Sequence, residues 1–130
     1  MSESNLVVTN DNKFCNIFKQ TVDDMKILGT YKPEFSPVIT RYAEMRVQYE
    51  MLMENWYSEG CVITERYTNK AGATNNRKTT LYQAIETLRS DITVLERELG
   101  LTPSGLKKIN DKSMAVKKES VLAKALSKLE

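Results

Sequence analysis

Two long segments of the chain repeat hydrophobic residues at helical spacing and contain no glycine or proline in their interior. The first runs from Pro37 to about Glu59, with repeating positions Val38, Tyr42, Met45, Tyr49, Leu52 and Trp56. The second runs from about Arg77 to Leu99, with repeating positions Leu81, Ile85, Leu88, Ile92, Leu95 and Leu99. Both series alternate steps of four and three residues, the heptad spacing of helices that pack along a seam. The pattern predicts an antiparallel hairpin of two helices, each about 23 residues and roughly 35 Å long.

A shorter amphipathic helix is predicted ahead of this hairpin, over residues 13–28. Its apolar positions are Phe14, Ile17, Phe18, Val22, Met25 and Leu28. Gly29 follows, and glycine is the residue that most often ends a helix in a left-handed conformation. We expect this helix to cover one side of the hairpin, and residues 1–12 to form a flexible N-terminus.

The segment between the two long helices, residues 60–76, is far longer than a tight helix–helix turn requires. Cys61 to Tyr67 is rich in β-branched residues and partly alternating, and Asn69 to Gly72 has the composition of a turn. A short β-ribbon and a mobile loop both fit this segment. The loop and the start of the next helix carry the cations Arg66, Lys70, Arg77 and Lys78.

The C-terminal part of the chain is also predicted to be helical. Thr102 and Pro103 follow Gly100 as a cap and a first helical residue, which predicts a short helix to about Ile109. Residues 111–130 form a further helical candidate with an apolar stripe of Val121, Leu122, Ala125, Leu126 and Leu129. The predicted fold is therefore all-α, with a helical core over residues 13–112 and a basic amphipathic segment over residues 113–130.

Several kinds of chemistry are excluded by composition. The chain has no histidine, its two cysteines, Cys15 and Cys61, are far apart, and its five glycines are scattered. These features argue against a His-dependent catalytic site, a zinc site and a glycine-rich phosphate loop. No apolar run approaches the roughly 20 residues of a membrane span. We therefore expect a binding protein that is not an enzyme and holds no metal or cofactor.

The positive charge is concentrated at the C-terminal end. Residues 1–100 carry 12 Lys and Arg against 14 Asp and Glu, whereas residues 101–130 carry 7 Lys against 3 acids. The last thirty residues thus have a lysine at almost every helical turn. A solvated tail, phosphate contact, an anionic partner protein and an anionic membrane are all compatible with this pattern.

Three segments together resemble the phage terminase small-subunit family. The first extends from Tyr42-Ala43-Glu44-Met45 to Asn55-Trp56-Tyr57-Ser58-Glu59-Gly60, and the second is the polar loop with Gly72 that leads into Arg77-Lys78. The third and most specific is Glu98-Leu99-Gly100-Leu101-Thr102-Pro103-Ser104, which is similar to the "ELGLTPSS" that closes the family's long helix. The resemblance covers about residues 13–112. It departs from the family at Gly105-Leu106, where Ser-Arg is common.

This resemblance implies a non-enzymatic partner of the large terminase subunit, which holds the ATPase and nuclease. Such proteins form homo-oligomeric rings, bind viral double-stranded DNA near the packaging start site, deliver it to the large subunit and regulate that subunit. They act in the host cytoplasm during phage assembly and are not expected in the mature virion.

Within this hypothesis, candidate residues fall into two groups. The candidate DNA contacts are Arg66, Lys70, Arg77, Lys78, Lys107, Lys108 and Lys112, with Lys13, Lys19 and Lys26 as an alternative face. The candidate residues for docking the large subunit are Lys117, Lys118, Leu122, Leu126 and Leu129. A helical-hairpin adaptor that binds only protein is the main alternative. A membrane-surface protein and an enzyme are two further hypotheses.

Overall fold

The computed structural model describes the backbone of residues 3–128 and the side chains of residues 9–128. Its elements follow in the order α1 (Glu3–Leu28), a short 3-10 helix (Pro33–Phe35), α2 (Ser36–Ser58), β1 (Thr64–Thr68), β2 (Thr74–Lys78), α3 (Thr80–Glu98) and α4 (Pro103–Lys128). The mostly helical fold with a short β-ribbon is therefore confirmed. Leu129, a predicted docking residue, lies outside the described residues.

The predicted hairpin of long helices is formed by α2 and α3, which run antiparallel along the predicted seams. The rings of Trp56 and Tyr82 lie 6.2 Å apart at one end of the pair, and Ile39 and Leu99 share a buried cluster at the other. Helix α1 packs on α2 and adds Met25, which is fully buried, to that cluster. The core therefore lies near the end of the bundle where α1 ends and α2 begins.

Helix α1 begins at Glu3, well before the predicted start at residue 13. Residues 3–12, which we expected to be part of a flexible N-terminus, belong to this helix. Contacts with α2 accompany this extension. The Nδ2 of Asn10 donates to the Sδ of Met51 at 3.7 Å, and Lys13 forms an ion pair with Glu54 at 3.3 Å.

The connector between α2 and α3 forms a β-hairpin, so the β-ribbon expectation is the one confirmed. Asn69 closes its turn, since its Oδ1 accepts hydrogen bonds from the backbone amides of Ala71 and Ala73. The sequence predicted Arg77 and Lys78 at the start of a helix, but both residues lie on β2. The helix starts later because Thr79 caps it, with its hydroxyl accepting from the amide of Tyr82 at 3.1 Å.

Helix α4 follows α3 after a tight turn at Gly100, which has a φ of +74°. Thr102 caps α4, as predicted, with its hydroxyl accepting from the amide of Gly105. The sequence predicted a break near residue 110, but α4 is one continuous helix because nothing between residues 106 and 128 interrupts it. Only its first turns pack on α3, and every residue from 110 to 128 is exposed.

Candidate nucleic-acid interface

The hairpin has two surfaces of different character. Side chains alternate along a strand, and directly paired residues of two strands share a face. The first face, here called the Arg66 face, carries the pairs Thr64–Lys78, Arg66–Asn76 and Thr68–Thr74. The second face, here called the Arg77 face, carries the pairs Glu65–Arg77 and Tyr67–Asn75. All ten strand residues are exposed.

On the Arg77 face, the cation is already engaged within the hairpin. The Nε of Arg77 lies 3.0 Å from the Oε1 of Glu65. The guanidinium carbon of the same residue lies 3.9 Å from the centre of the Tyr67 ring. A carboxylate partner and a stacked ring together hold Arg77 in place. Arg77 is therefore better placed to stiffen the ribbon than to meet a phosphate.

On the Arg66 face, the guanidinium of the arginine has no ion-pair or hydrogen-bond partner among the described residues. Asn76 is its cross-strand neighbour. The hydroxyl oxygens of Thr68 and Thr74 lie 3.1 Å apart beside this pair. This face therefore combines a free guanidinium with amide and hydroxyl groups, the side-chain types that contact DNA phosphates.

Lys78 is on the same face as Arg66 but is tied to α3. Its Nζ lies 2.8 Å from a carboxylate oxygen of Glu86. The hydrogen bond to Glu86, and then the charge of that carboxylate, raise the pKa of Lys78 above its ordinary value. Lys70, by contrast, is exposed in the turn and has no ion pair in the described part of the chain. Of the four predicted hairpin cations, Arg66 and Lys70 are thus the two without a partner.

The second predicted group of cations lies on the first turns of α4. Lys107, Lys108 and Lys112 are exposed, and Lys108 and Lys112 line a cleft of about 570 Å³ between α3 and α4. Arg97, near the end of α3, lines the same cleft. Sequence reasoning missed Arg97, and its position in the last turn before Gly100 was the one available signal.

The two cationic groups are separated by the length of α3. The hairpin enters α3 at Thr80, and the cleft lies where α3 ends at Glu98. Nineteen helical residues span roughly 28 Å. The structure therefore does not bring the hairpin cations and the α4 lysines together within one chain.

The lysines of α1 are less available than those of the hairpin. Lys13 is paired with Glu54, and the ammonium of Lys26 lies 5.2 Å from the centre of the Tyr31 ring. Only Lys19 is exposed with no partner in the described part of the chain. The alternative DNA face on α1 therefore offers one unengaged cation.

The far end of α4 exposes both apolar and basic side chains. Met114, Val121 and Leu122 surround a shallow surface cavity of about 390 Å³ that is also lined by Lys117 and Lys118. Leu126 is 63% exposed one turn further along. The predicted docking residues that the structure describes thus share one helical segment that packs on nothing else in the described chain.

Two further observations concern site chemistry. Among the side chains that the structure describes within residues 3–128, no three from His, Cys, Asp or Glu group closely enough to hold a metal ion. No helix within that range combines the length and apolar character that a bilayer crossing requires. The remaining distinctive features are the basic hairpin, the α3–α4 cleft and the exposed end of α4.

The structure is thus that of a helical protein whose distinctive functional groups are exposed lysine and arginine side chains. The family model described as "Phage terminase, small subunit" matches residues 16–115. The chain therefore belongs to the phage terminase small-subunit family, and its role is in phage DNA packaging. The match includes the hairpin and the cleft. Neither a curated protein nor a solved structure gives a significant match to the chain.

Proposed function

We propose that this protein is a non-catalytic terminase small subunit that assembles into a homo-oligomeric ring and binds viral double-stranded DNA near the packaging start site. In this proposal the ring delivers DNA to the large subunit and regulates that subunit's ATPase and nuclease. The protein acts in the host cytoplasm during assembly and is absent from the mature virion. Membership of the family supports this role.

The observation that carries DNA binding is the Arg66 face of the hairpin. An exposed guanidinium without a carboxylate partner gains more from a phosphate than one that is already paired. The adjacent Asn76, Thr68 and Thr74 add neutral groups for hydrogen bonds to the sugar–phosphate backbone. Lys70, in the turn of the ribbon, extends the basic surface.

The α4 lysines Lys107, Lys108 and Lys112 supply the second group of contacts. They lie roughly 28 Å from the hairpin along α3, so one subunit presents two separate basic regions to a duplex. Each subunit contributes few cations, but a ring repeats them in every copy. Avidity then replaces the affinity of a single chain.

Exposed apolar side chains support assembly. Met51 on α2 is 39% exposed, and Ile27 near the end of α1 is 83% exposed. A ring requires two different patches on each subunit, because each copy meets its two neighbours through different surfaces. Met51 and Ile27 lie on different helices, and we assign one of them to each of the two surfaces.

The test combines assembly and DNA binding. The molar mass in solution is measured by light scattering, and duplex DNA retention is measured over a series of salt concentrations. We expect a closed oligomer whose DNA affinity falls steeply with salt, because phosphate contact releases counterions. A monomer at micromolar concentration that retains no DNA at low salt would contradict the proposal.

We further propose that the exposed end of α4 docks the large subunit through Lys117, Lys118, Leu122 and Leu126, with Leu129 beyond the described residues. Charge reversal of Lys117, Lys118, Lys124 and Lys128 tests this assignment. Loss of large-subunit binding with DNA binding intact supports docking. Loss of DNA binding would instead assign these lysines to phosphate contact.

A helical adaptor that binds only protein is the second candidate function. The amphipathic end of α4 favours it, because exposed Val121, Leu122 and Leu126 mark a surface for a protein partner. If the protein retains no DNA at any salt concentration but binds the large subunit stably, the adaptor function is the correct one.

A further inference from the structure

The cleft between α3 and α4 is a half-open depression in the protein surface. Its walls are formed from one side by the last turns of α3 and from the other by the first turns of α4, and its volume is about 570 Å³. Its lining residues are Val94, Arg97, Glu98, Ser104, Gly105, Lys108, Ile109 and Lys112.

The close approach of the two helices depends on Gly105. A Cβ atom at this position would collide with the backbone carbonyl of Arg97. Since Gly105 has no side chain, α4 can cross the end of α3 at this point. The crossing sets Arg97 of α3 and Lys108 of α4 along the same cavity. The cations of the cleft are thus held on two helices that are in direct contact.

The charges in the cleft are not balanced. Arg97, Lys108 and Lys112 contribute three positive charges and Glu98 contributes one negative charge, which leaves a net charge of +2. None of the four makes an ion pair or a side-chain hydrogen bond within residues 9–128. Unpaired cations that line one cavity repel each other, and a bound anion relieves that repulsion.

We propose that this cleft binds a phosphodiester group of duplex DNA, with Arg97, Lys108 and Lys112 as its contacts. The inference rests on the proposed DNA-binding function and adds to it a specific pocket and a residue, Arg97. An arginine with two lysines and the hydroxyl of Ser104 matches the oxygens of a phosphate.

The lining favours the DNA backbone over a base. Among the described residues, no aromatic side chain lines the cleft, so these residues offer no ring on which a base could stack. An adjoining shallow cavity shares Lys108 and Lys112 and adds Lys107 and the carboxylate of Asp111. Three lysines against one acid extend the positively charged surface along α4. Contacts of this kind fix the position of a duplex without reading its sequence.

The experiment measures the affinity of the full-length protein for a duplex of fixed length as a function of salt. Arg97→Gln removes one charge from the cleft, Arg97→Lys retains it, and Arg41→Gln removes the same charge from an exposed, unpaired position near the start of α2. The slope of log K against log salt is negative, and each phosphate that the protein no longer neutralises reduces its magnitude by about 0.9.

We expect Arg97→Gln to weaken binding about eightfold at 0.1 M salt for each phosphate that is no longer neutralised, since the slope change of about 0.9 acts over one decade of salt below 1 M. The weakening should be equal for DNA of different sequences. Arg97→Lys should retain most of the affinity, and Arg41→Gln should match the wild type. Lys112→Gln, one turn beyond Lys108, should reproduce the effect of Arg97→Gln.

The outcomes are separable. If the wild type binds DNA and Arg97→Gln leaves slope and affinity unchanged, the cleft assignment is wrong and the proposed function stands. If Arg97→Gln weakens binding only together with a lower thermal midpoint, Arg97 has a structural role and the assignment is also wrong. If the wild type retains no DNA at low salt, the proposed function fails and the cleft assignment fails with it.

Discussion

Gly105 of α4 lies directly against the backbone carbonyl of Arg97 at the end of α3, and this contact sets where the two helices cross. Gly105 is buried within α4. Glycine is present there even though it is less favourable than alanine within a helix by about 1 kcal/mol. At residue 105, the close approach of two backbones therefore matters more than helix propensity.

Gly105→Ala should destabilise the protein even though alanine is the better helix former. The added Cβ would force α4 away from α3, and overpacking of this kind typically costs about 1–3 kcal/mol. Denaturant unfolding followed by circular dichroism measures the change. Asn110→Ala, at an exposed position of the same helix, is the matched control and should be neutral or stabilising. A gain in stability for Gly105→Ala would show that the crossing is not tightly packed.

The two arginines of the hairpin should differ in their effect on DNA binding. Arg66→Gln removes an unpaired charge, whereas Arg77→Gln removes one already engaged by Glu65 and Tyr67. We expect Arg66→Gln to reduce the magnitude of the slope of log K against log salt by about 0.9 for each phosphate that Arg66 contacts. Arg77→Gln should have a smaller effect. Fluorescence anisotropy with a labelled duplex measures both. Equal reductions for the two variants would contradict the separation into two faces.

Glu86→Gln should weaken the contact between the hairpin and α3. The Glu86 carboxylate accepts a hydrogen bond from Lys78 and raises the pKa of that ammonium. In the variant, the pKa of Lys78 should return toward its ordinary value of about 10.4, and the amides of β2 should exchange faster with solvent. NMR titration and hydrogen exchange measure these changes. Glu50→Gln, on α2 and without an ion pair in the described chain, should leave both quantities unchanged.

Tyr42 should make the protein less stable at alkaline pH. Burial raises the pKa of its phenol, and the hydrogen bond from Arg46 lowers it by a smaller amount. The folded chain therefore holds this proton more tightly than the unfolded chain, whose tyrosine pKa is about 10. The free energy of unfolding should thus fall as the pH rises above about 10.

Tyr42→Phe tests this pH dependence, since it removes the titrating group from the buried cluster. The decline in the free energy of unfolding between about pH 9 and pH 11 should be shallower than in the wild type. Tyr57→Phe, at a residue that is 63% exposed, should keep the wild-type profile. An unchanged profile for Tyr42→Phe would show that other groups cause the alkaline loss.

The helices could be predicted from the sequence because their packing follows from the spacing of apolar residues. The heptad positions Tyr42 and Ile92 are buried, and the seam that they define is the one by which α2 meets α3. Helix limits were harder to predict. Arg77 lies in a strand because it pairs with Glu65 on the neighbouring strand. That pairing depends on two residues that are twelve positions apart in the sequence.

The spacing of residues along the sequence does not show which cations are unpaired or which of them lie close together. The four hairpin cations look alike in the sequence, but strand register and the positions of Glu65 and Glu86 decide which of them are free. Arg97 joins Lys108 only because α3 and α4 cross at Gly105. These relationships arise from tertiary contacts between elements.

Because α4 is one continuous helix, a change in its crossing angle at Gly105 moves its exposed part as a rigid arm, with Gly105 as the pivot. The arm from Gly105 to Lys128 contains 23 helical steps and is therefore roughly 35 Å long. A tilt of about 10° at the pivot moves the far end by roughly 6 Å, given this length. The crossing angle at one glycine thus sets the position of the exposed lysines and leucines near the end of α4.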